Sequence, residues 1–338
     1  MVVIKPNLFN TKLWYYSLFL NSLRDVGVPL FVMISGALLI NKKDSFKKFV
    51  TKRLKRVVIP YIFWIIIFIL FVFFCISINY HFHHMSLNLL LYKIFTSKPG
   101  DWRYFWFVPM ILMVYVIIFI LNKLNSYNKN TFKCFLILSI LIILLKEFNL
   151  FNFDNEINVV RYLFYSIFAI FGYYLVNTDF LDLKLFKKFK INSKIMVLIT
   201  GILIVLLYTC VLLTNVKLTN QFNQLNAISQ FSILNILLIS NVMLFFRYLD
   251  ESNILSNNNL IKRFKLKELI LSFSSCSYGI YLSHMIVLLS LRYFLDPLSP
   301  IKASIILTLK LILTFIISWL FILVLGKIPY LNKLIGKS

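Results

Sequence analysis

The sequence predicts an all-α, polytopic membrane bundle that occupies the whole chain, residues 1–338, as a single integral-membrane domain. Two observations predict this fold class. Hydrophobic residues make up 60% of the chain and charged residues only 14%, which leaves too little polar surface for a soluble domain of this length. Apolar stretches of roughly 20 residues, the length that crosses a bilayer, also recur along the chain. We therefore expect lipid to surround most of the protein.

Nine apolar stretches are predicted to be transmembrane helices. They lie at 21–40, 57–79, 104–122, 132–146, 159–177, 195–214, 228–247, 269–291 and 303–326. Because these stretches take up more than half of the chain and short polar runs separate them, we expect no additional soluble domain.

The distribution of positive charge predicts the orientation of the bundle. The chain carries 36 Lys and Arg against 12 Asp and Glu, a net charge of +24. With the run at 42–56 placed inside, alternate loops and the tail from residue 327 bring 24 of the 36 basic residues to that side and leave 11 on the other, and the remaining one, Lys310, lies inside a predicted span. This asymmetry follows the positive-inside rule. It predicts a bacterial inner-membrane protein with a cytoplasmic C-terminus, and it disfavours nucleic acid as a partner.

The acidic residues bear on the class of transport protein that the chain could be. All 12 carboxylates, Asp25 among them, are predicted to lie in loops or near helix ends. Proton- and sodium-coupled carriers place a carboxylate inside the membrane, where its cost is tolerated for function. This pattern therefore disfavours an ion-coupled carrier.

A dense basic segment, residues 47–56, runs directly into Pro60 and the second predicted helix. One interpretation is a plain determinant of topology. The other is a phosphate site, because Arg53 and Arg56 are three residues apart and would share one face of a helical turn. Guanidinium groups bind phosphates bidentately, so the ligand would be an anionic cofactor such as coenzyme A.

A second polar run, residues 272–284, opens the eighth predicted span. Tyr278, Tyr281 and His284 follow one another at intervals of three and should lie on roughly one helix face. Such a cluster is costly in lipid, which makes a functional site as plausible as a packed histidine. Three more histidines at 81, 83 and 84 have no cysteine or suitable carboxylate nearby, so we expect a solvated loop there and no metal site.

Four runs of the sequence together resemble the acyltransferase 3 family of membrane acyltransferases. They are VPLFVMISG at 28–36, KRLKR at 52–56 followed by IPY at 59–61, YFWFV at 104–108 and SYGIYLSH at 277–284. The resemblance implies a membrane bundle that moves an acyl group, often acetyl or succinyl, from cytoplasmic acyl-CoA. The acceptor would be a hydroxyl of a surface polysaccharide, a lipid-linked sugar or peptidoglycan, and no metal would take part.

The resemblance also implies roles for individual residues. Arg53 and Arg56 would hold the phosphates of the donor. A cavity would be lined by residues from several helices, namely Arg24, Ser35, Trp106, Tyr278, Tyr281 and His284.

The family's first helix carries an arginine and the histidine held to be the catalytic base, and both precede the segment that corresponds to Val28. Only 27 residues precede Val28 here, and none is a histidine. We therefore expect that the chain lacks its first helix and that those two catalytic residues would lie before Met1. The leading interpretation is an O-acyltransferase. The alternatives are a polysaccharide exporter or flippase and an inactive, shortened member of the family.

Overall fold

The computed structural model of the protein describes most of the chain as helix. The described residues are 12–42, 45–78, 105–128, 130–148, 158–182, 184–222, 229–254, 266–295 and 303–337. Every regular element within these ranges is helical, and no strand occurs in them. The predicted all-α class is therefore confirmed.

The α-helices are numbered in chain order. They are α1 Lys12–Leu39, α2 Phe46–Arg53, α3 Ile59–Ser77, α4 Phe107–Tyr127, α5 Thr131–Glu147, α6 Asn158–Phe164, α7 Ser166–Asn177, α8 Lys184–Lys188, α9 Ser193–Phe222, α10 Ile233–Glu251, α11 Leu266–Leu295, α12 Ala303–Leu325 and α13 Leu331–Leu334. A π-helix, Leu54–Val58, joins α2 to α3, and a 3₁₀ turn, Phe180–Asp182, precedes α8.

Seven helical segments of the described chain are long and apolar enough to cross a membrane. They correspond to seven of the nine predicted spans. The fourth predicted span is α5, a helix of 17 residues, and the fifth is divided between α6 and α7 by an interruption at Tyr165. The helical membrane bundle is thus confirmed, with seven segments that meet the length and hydropathy of a full span.

The first helix corrects two sequence-based expectations. It begins at Lys12, well before the predicted start at residue 21, so Arg24 and Asp25 lie in its interior. Asp25 is buried, with 8% of its surface exposed, and is the fourteenth of the 28 residues of α1. The expectation that every carboxylate lies in a loop or near a helix end was therefore wrong for Asp25. The argument against an ion-coupled carrier loses its premise.

The chain folds into two compact units, each built from two separate stretches of sequence. The first unit comprises residues 1–43 and 110–259, and the second comprises residues 44–109 and 260–338.

Small residues set the closest helix crossing of the first unit. A Cβ atom added to Gly36 in α1 would overlap the backbone of Ala169 in α7, and one added to Gly172 in α7 would overlap the backbone of Met33. Lipid is as apolar as the helix side chains, so it does not drive helices together as water does. Close backbone packing therefore supplies much of the attraction between helices in a membrane. The two glycines therefore allow α1 and α7 to pack directly against each other.

Amide side chains tie other helices of the first unit together. Asn122 of α4 donates to the carbonyl of Leu39 at 2.9 Å and accepts from the amide of Asn41 at 2.8 Å, which satisfies groups at the end of α1. Asn241 of α10 donates to the carbonyl of Thr200 in α9 at 2.8 Å. Each of these bonds gives a polar group a protein partner where lipid offers none.

Aromatic contacts join α11 and α12 in the second unit. The rings of Phe273 and Trp319 lie 4.4 Å apart, and the indole nitrogen of Trp319 donates to the hydroxyl of Ser272 at 3.1 Å. In α3 the indole of Trp64 is buried and donates to the carbonyl of Ile335 at 3.2 Å. The C-terminal segment is thereby fastened to α3.

We predict that Gly36→Ala destabilises the protein whereas Gly27→Ala does not. Both residues lie in α1, but a Cβ on Gly36 meets the Ala169 backbone while one on Gly27 meets nothing within 4 Å. Overpacking at Gly36 should cost ~1–3 kcal/mol, and alanine at Gly27 should be neutral or slightly stabilising because of its helix propensity. Thermal unfolding of the purified variants in detergent measures the difference. Equal melting temperatures would contradict the proposed α1–α7 packing.

Candidate functional site

The basic segment of the second unit is helical and changes its winding between its two arginines. Arg53 ends α2, and Arg56 lies in the π-helix that follows. The guanidinium of Arg53 is half-buried over the ring of Phe49, with 5.2 Å from Cζ to the ring centroid, whereas Arg56 is exposed. The regular helical turn that the spacing predicted is therefore absent. The π-helix gives the two arginines different surroundings, and such bulges are frequent at functional sites.

Tyr278, Tyr281 and His284 form a continuous row of rings along α11, as their spacing predicted. The rings of Tyr278 and Tyr281 are nearly parallel, at 15°, with centroids 6.4 Å apart. The rings of Tyr281 and His284 follow at 5.7 Å. The row therefore presents two phenols and an imidazole along one face of a helix that is long and apolar enough to span the membrane.

One hydrogen bond connects this row to the basic segment. The hydroxyl of Tyr278 donates to the carbonyl of Val57 at 2.8 Å, and Val57 is the residue after Arg56 in the π-helix. The bond gives the phenol a partner and holds α11 against the turn that carries the arginines. The structure thus brings together Arg56, Val57 and Tyr278, two of which sequence reasoning had assigned to separate parts of a site.

The C-terminal segment also packs on Tyr278, which the sequence did not indicate. Gly336 has a φ of +79°, and a Cβ there would lie 2.9 Å from the Tyr278 ring and 3.5 Å from Pro60. Ile335 is fully buried beside it. Glycine is needed here both for its backbone conformation and for the close approach. The only sequence signal was a glycine near the end of an otherwise basic and apolar tail.

His284 is held in one orientation by its own helix. Its Nδ1 atom contacts the carbonyl of Tyr281. Because a carbonyl can only accept, Nδ1 carries the hydrogen, and in the neutral ring Nε2 then carries the lone pair. The imidazole can therefore accept a proton at Nε2.

The aromatic segment before α4 reaches the row through Phe107, the neighbour of Trp106. Phe107 is buried, and its ring lies 5.1 Å from that of Tyr281 and 6.5 Å from that of Trp106. Phe107 thus packs on the row and links it to Trp106. The sequence offered no means of choosing between these adjacent rings.

The remaining cavity residues, Arg24 and Ser35, belong to α1 in the first unit. Arg24 pairs with Asp25 through an Nη2 to Oδ1 distance of 3.0 Å, and its side chain is 54% exposed. Ser35 is buried and adjoins Gly36, where α1 packs against α7. Arg24 is thus the exposed partner of the buried Asp25, whereas Ser35 lies in a helix-packing region.

The histidines at 81, 83 and 84 lie outside the described residues, so the solvated loop expected there stays a prediction. Within the described ranges, no group of three or more His, Cys, Asp or Glu side chains is arranged to hold a metal ion.

We predict that Tyr278→Phe loosens the π-helix. Loss of the hydroxyl removes one hydrogen bond to Val57, a contribution of about 0.5–1.5 kcal/mol, so backbone amides near residues 57–62 should exchange roughly two- to tenfold faster. Tyr330→Phe is the matched control, because Tyr330 is 84% exposed and belongs to the same unit. Hydrogen exchange with mass spectrometry measures both variants. Unchanged exchange in Tyr278→Phe would show that the bond does not hold the turn.

Comparison with known proteins bears on the function of these features. The sequence family described as an acyltransferase domain, of the acyltransferase 3 type, matches residues 1–323. No curated protein and no solved structure matches the chain. The matched range contains the basic segment, the π-helix and the row of rings, while Ile335 and Gly336 lie beyond it. The chain therefore belongs to the acyltransferase 3 family and is, in general terms, a membrane acyltransferase.

Proposed function

We propose that the protein is an O-acyltransferase that moves an acetyl or succinyl group from cytoplasmic acyl-CoA to a hydroxyl of a cell-surface or lipid-linked polysaccharide. The observation that carries the proposal is the hydrogen bond from Tyr278 to Val57. It joins a cationic turn suited to phosphates with a row of proton-bearing side chains in an apolar helix. Binding of an anionic donor and transfer of a proton are the two tasks that acyl transfer from a thioester requires.

Donor binding is assigned to the arginines of the basic segment. Arg56 is exposed and can meet a pyrophosphate or 3′-phosphate with a planar fork of donors. Arg53 is steadied by the face of Phe49, which limits the conformations that it must give up on binding. Acyl-CoA is the substrate that brings both a cluster of phosphates and an activated acyl group to such a turn.

The chemical step needs a proton acceptor. The acceptor oxygen attacks the thioester carbonyl, the new C–O bond forms, the C–S bond breaks, and the hydroxyl proton passes through a base to the departing thiolate of coenzyme A. Nε2 of His284 has the lone pair for this role, because Nδ1 is committed to the Tyr281 carbonyl. Tyr281 and Tyr278 extend the row of polar groups from His284 to the basic turn.

We predict that Arg56→Ala raises the KM for acyl-CoA by roughly tenfold or more, since a charge-assisted hydrogen bond contributes about 1.5–3 kcal/mol. Arg56→Lys keeps the charge but loses the fork, so its KM should be intermediate. Lys55→Ala is the matched control. It removes an exposed positive charge from the same π-helix and should change the KM by about twofold or less. Initial rates over a range of acyl-CoA concentrations give the KM of each variant. An unaltered KM in Arg56→Ala would contradict donor binding and indicate that the basic segment serves only to set the topology.

Orientation in a bacterial inner membrane is part of the same proposal, because the donor is cytoplasmic. The division of basic residues, 24 against 11, favours a cytoplasmic basic segment and C-terminus. We count Arg24 with the smaller group here, although it lies inside α1.

We predict that single cysteines at Ser45 and Phe148 lie on opposite sides of the membrane. Ser45 precedes α2, and Phe148, which is 74% exposed, ends α5. An impermeant thiol reagent should label Phe148→Cys in intact cells and Ser45→Cys only after the membrane is opened. The exposed native cysteines Cys134 and Cys210 are first replaced by serine. Labelling of both positions in intact cells would contradict the orientation.

A further inference from the structure

A buried polar cluster in the first unit has no part in donor binding. Asp25 of α1 accepts hydrogen bonds from Arg24 Nη2 at 3.0 Å, from Arg24 Nε at 3.3 Å and from Gln230 Nε2 at 3.3 Å. Gln230 in turn accepts from the hydroxyl of Tyr165 at 2.5 Å. The cluster thus joins α1, the junction of α6 and α7 and the segment before α10. Polar networks inside apolar helices are costly and mark functional sites by default.

The pattern of bonds on Asp25 leaves one oxygen for a ligand. All three bonds fall on Oδ1, and Oδ2 accepts none from the residues that the structure describes. The side chain keeps 11% exposure, so the protein does not enclose it completely. A carboxylate oxygen only accepts, so the ligand must bring a donor. Since Arg24 already balances the charge of Asp25, a neutral donor such as a hydroxyl fits better than a cation.

Aromatic rings lie directly beside these polar groups. The ring of Phe231, the residue after Gln230, is 5.2 Å from that of Tyr165 and is stacked at 5.5 Å on that of Phe168. The helix that would have crossed the membrane here is interrupted at Tyr165, where the phenol turns to Gln230. These three rings are buried, so they pack the apolar side of the cluster and hold the phenol of Tyr165 on Gln230.

A neighbouring polar pair shows how a purely structural contact differs. One turn before Asp25, the hydroxyl of Ser22 accepts from Asn215 of α9 at 3.0 Å and donates to the carbonyl of Leu18 at 3.0 Å. The bonds of Ser22 join α1 to α9 and use its one donor and one of its acceptor positions. The bonds of Asp25 fill only one of its two oxygens.

We infer that the cluster of Asp25, Gln230 and Tyr165 binds a hydroxyl of the saccharide acceptor through Oδ2 of Asp25. The inference rests on the proposed function, since it assigns the acceptor of that reaction, but the two can fail separately. Gln230 and Arg24 fix the carboxylate, and the buried rings of Tyr165 and Phe231 hold Gln230 in place. Asp25 is thus a substrate-binding residue outside the donor site.

The experiment measures binding, so it does not depend on turnover. Purified full-length protein is applied to an array of immobilised bacterial cell-surface glycans, and its affinity for acyl-CoA is titrated in parallel. Asp25→Asn keeps the size of the side chain but removes its charge. It should weaken glycan binding by roughly tenfold or more and leave acyl-CoA affinity unchanged. Tyr165→Phe, which frees the amide of Gln230, should weaken glycan binding to a smaller degree.

Ser22→Ala is the matched control, because it breaks a buried bond of the same helix one turn away. It should lower the melting temperature without a selective loss of glycan binding. The inference is overturned if the wild type binds no glycan, if Asp25→Asn binds as the wild type does, or if Asp25→Asn and Ser22→Ala lose binding and stability alike. Glycan binding that depends on Asp25, in a protein with no affinity for acyl-CoA, would support this site and contradict the proposed donor.

Discussion

Hydrocarbon offers no hydrogen-bond partners, and this constraint governs where polar groups can lie in the bundle. The hydroxyl of Tyr278 meets the carbonyl of Val57, the amide of Asn122 meets the end of α1, and the amide of Asn241 meets the carbonyl of Thr200. Each of these three side chains therefore also ties its helix to another segment. The positions of these groups determine which helices pack together.

The same constraint distinguishes structural contacts from candidate sites. A pair such as Ser22 and Asn215 is satisfied by its own helices, so a packing role accounts for it. Two polar atoms at the candidate sites form no hydrogen bond with the residues that the structure describes. They are Nε2 of His284, at the end of the row of rings, and Oδ2 of Asp25. One group of side chains suits an anionic donor and a proton transfer, and the other suits a neutral hydroxyl compound. An acyltransferase of membrane-borne saccharides needs both.

Much of the fold could be predicted from composition and hydropathy, because lipid imposes helix length and apolar surface directly. The row of Tyr278, Tyr281 and His284 followed from helical spacing alone. The π-helix that follows Arg53 and contains Arg56 could not be predicted, since a single change of winding leaves no mark in residue spacing. Asp25 was misplaced because the polar residues before Val28 disguised the true start of α1. Gly336 and Ile335 were missed because their partners, Tyr278 and Trp64, are distant in sequence.

Acyl transfer by the purified protein is tested most directly in reconstituted vesicles. Purified protein is inserted into vesicles with acyl-CoA labelled in its acyl group on one side and a bacterial polysaccharide as acceptor. Assignment as an acyltransferase predicts labelled ester on the polysaccharide, in amounts that rise with time, without movement of the polymer across the membrane. Translocation of unmodified polymer, with no label transferred, would contradict it and favour an exporter.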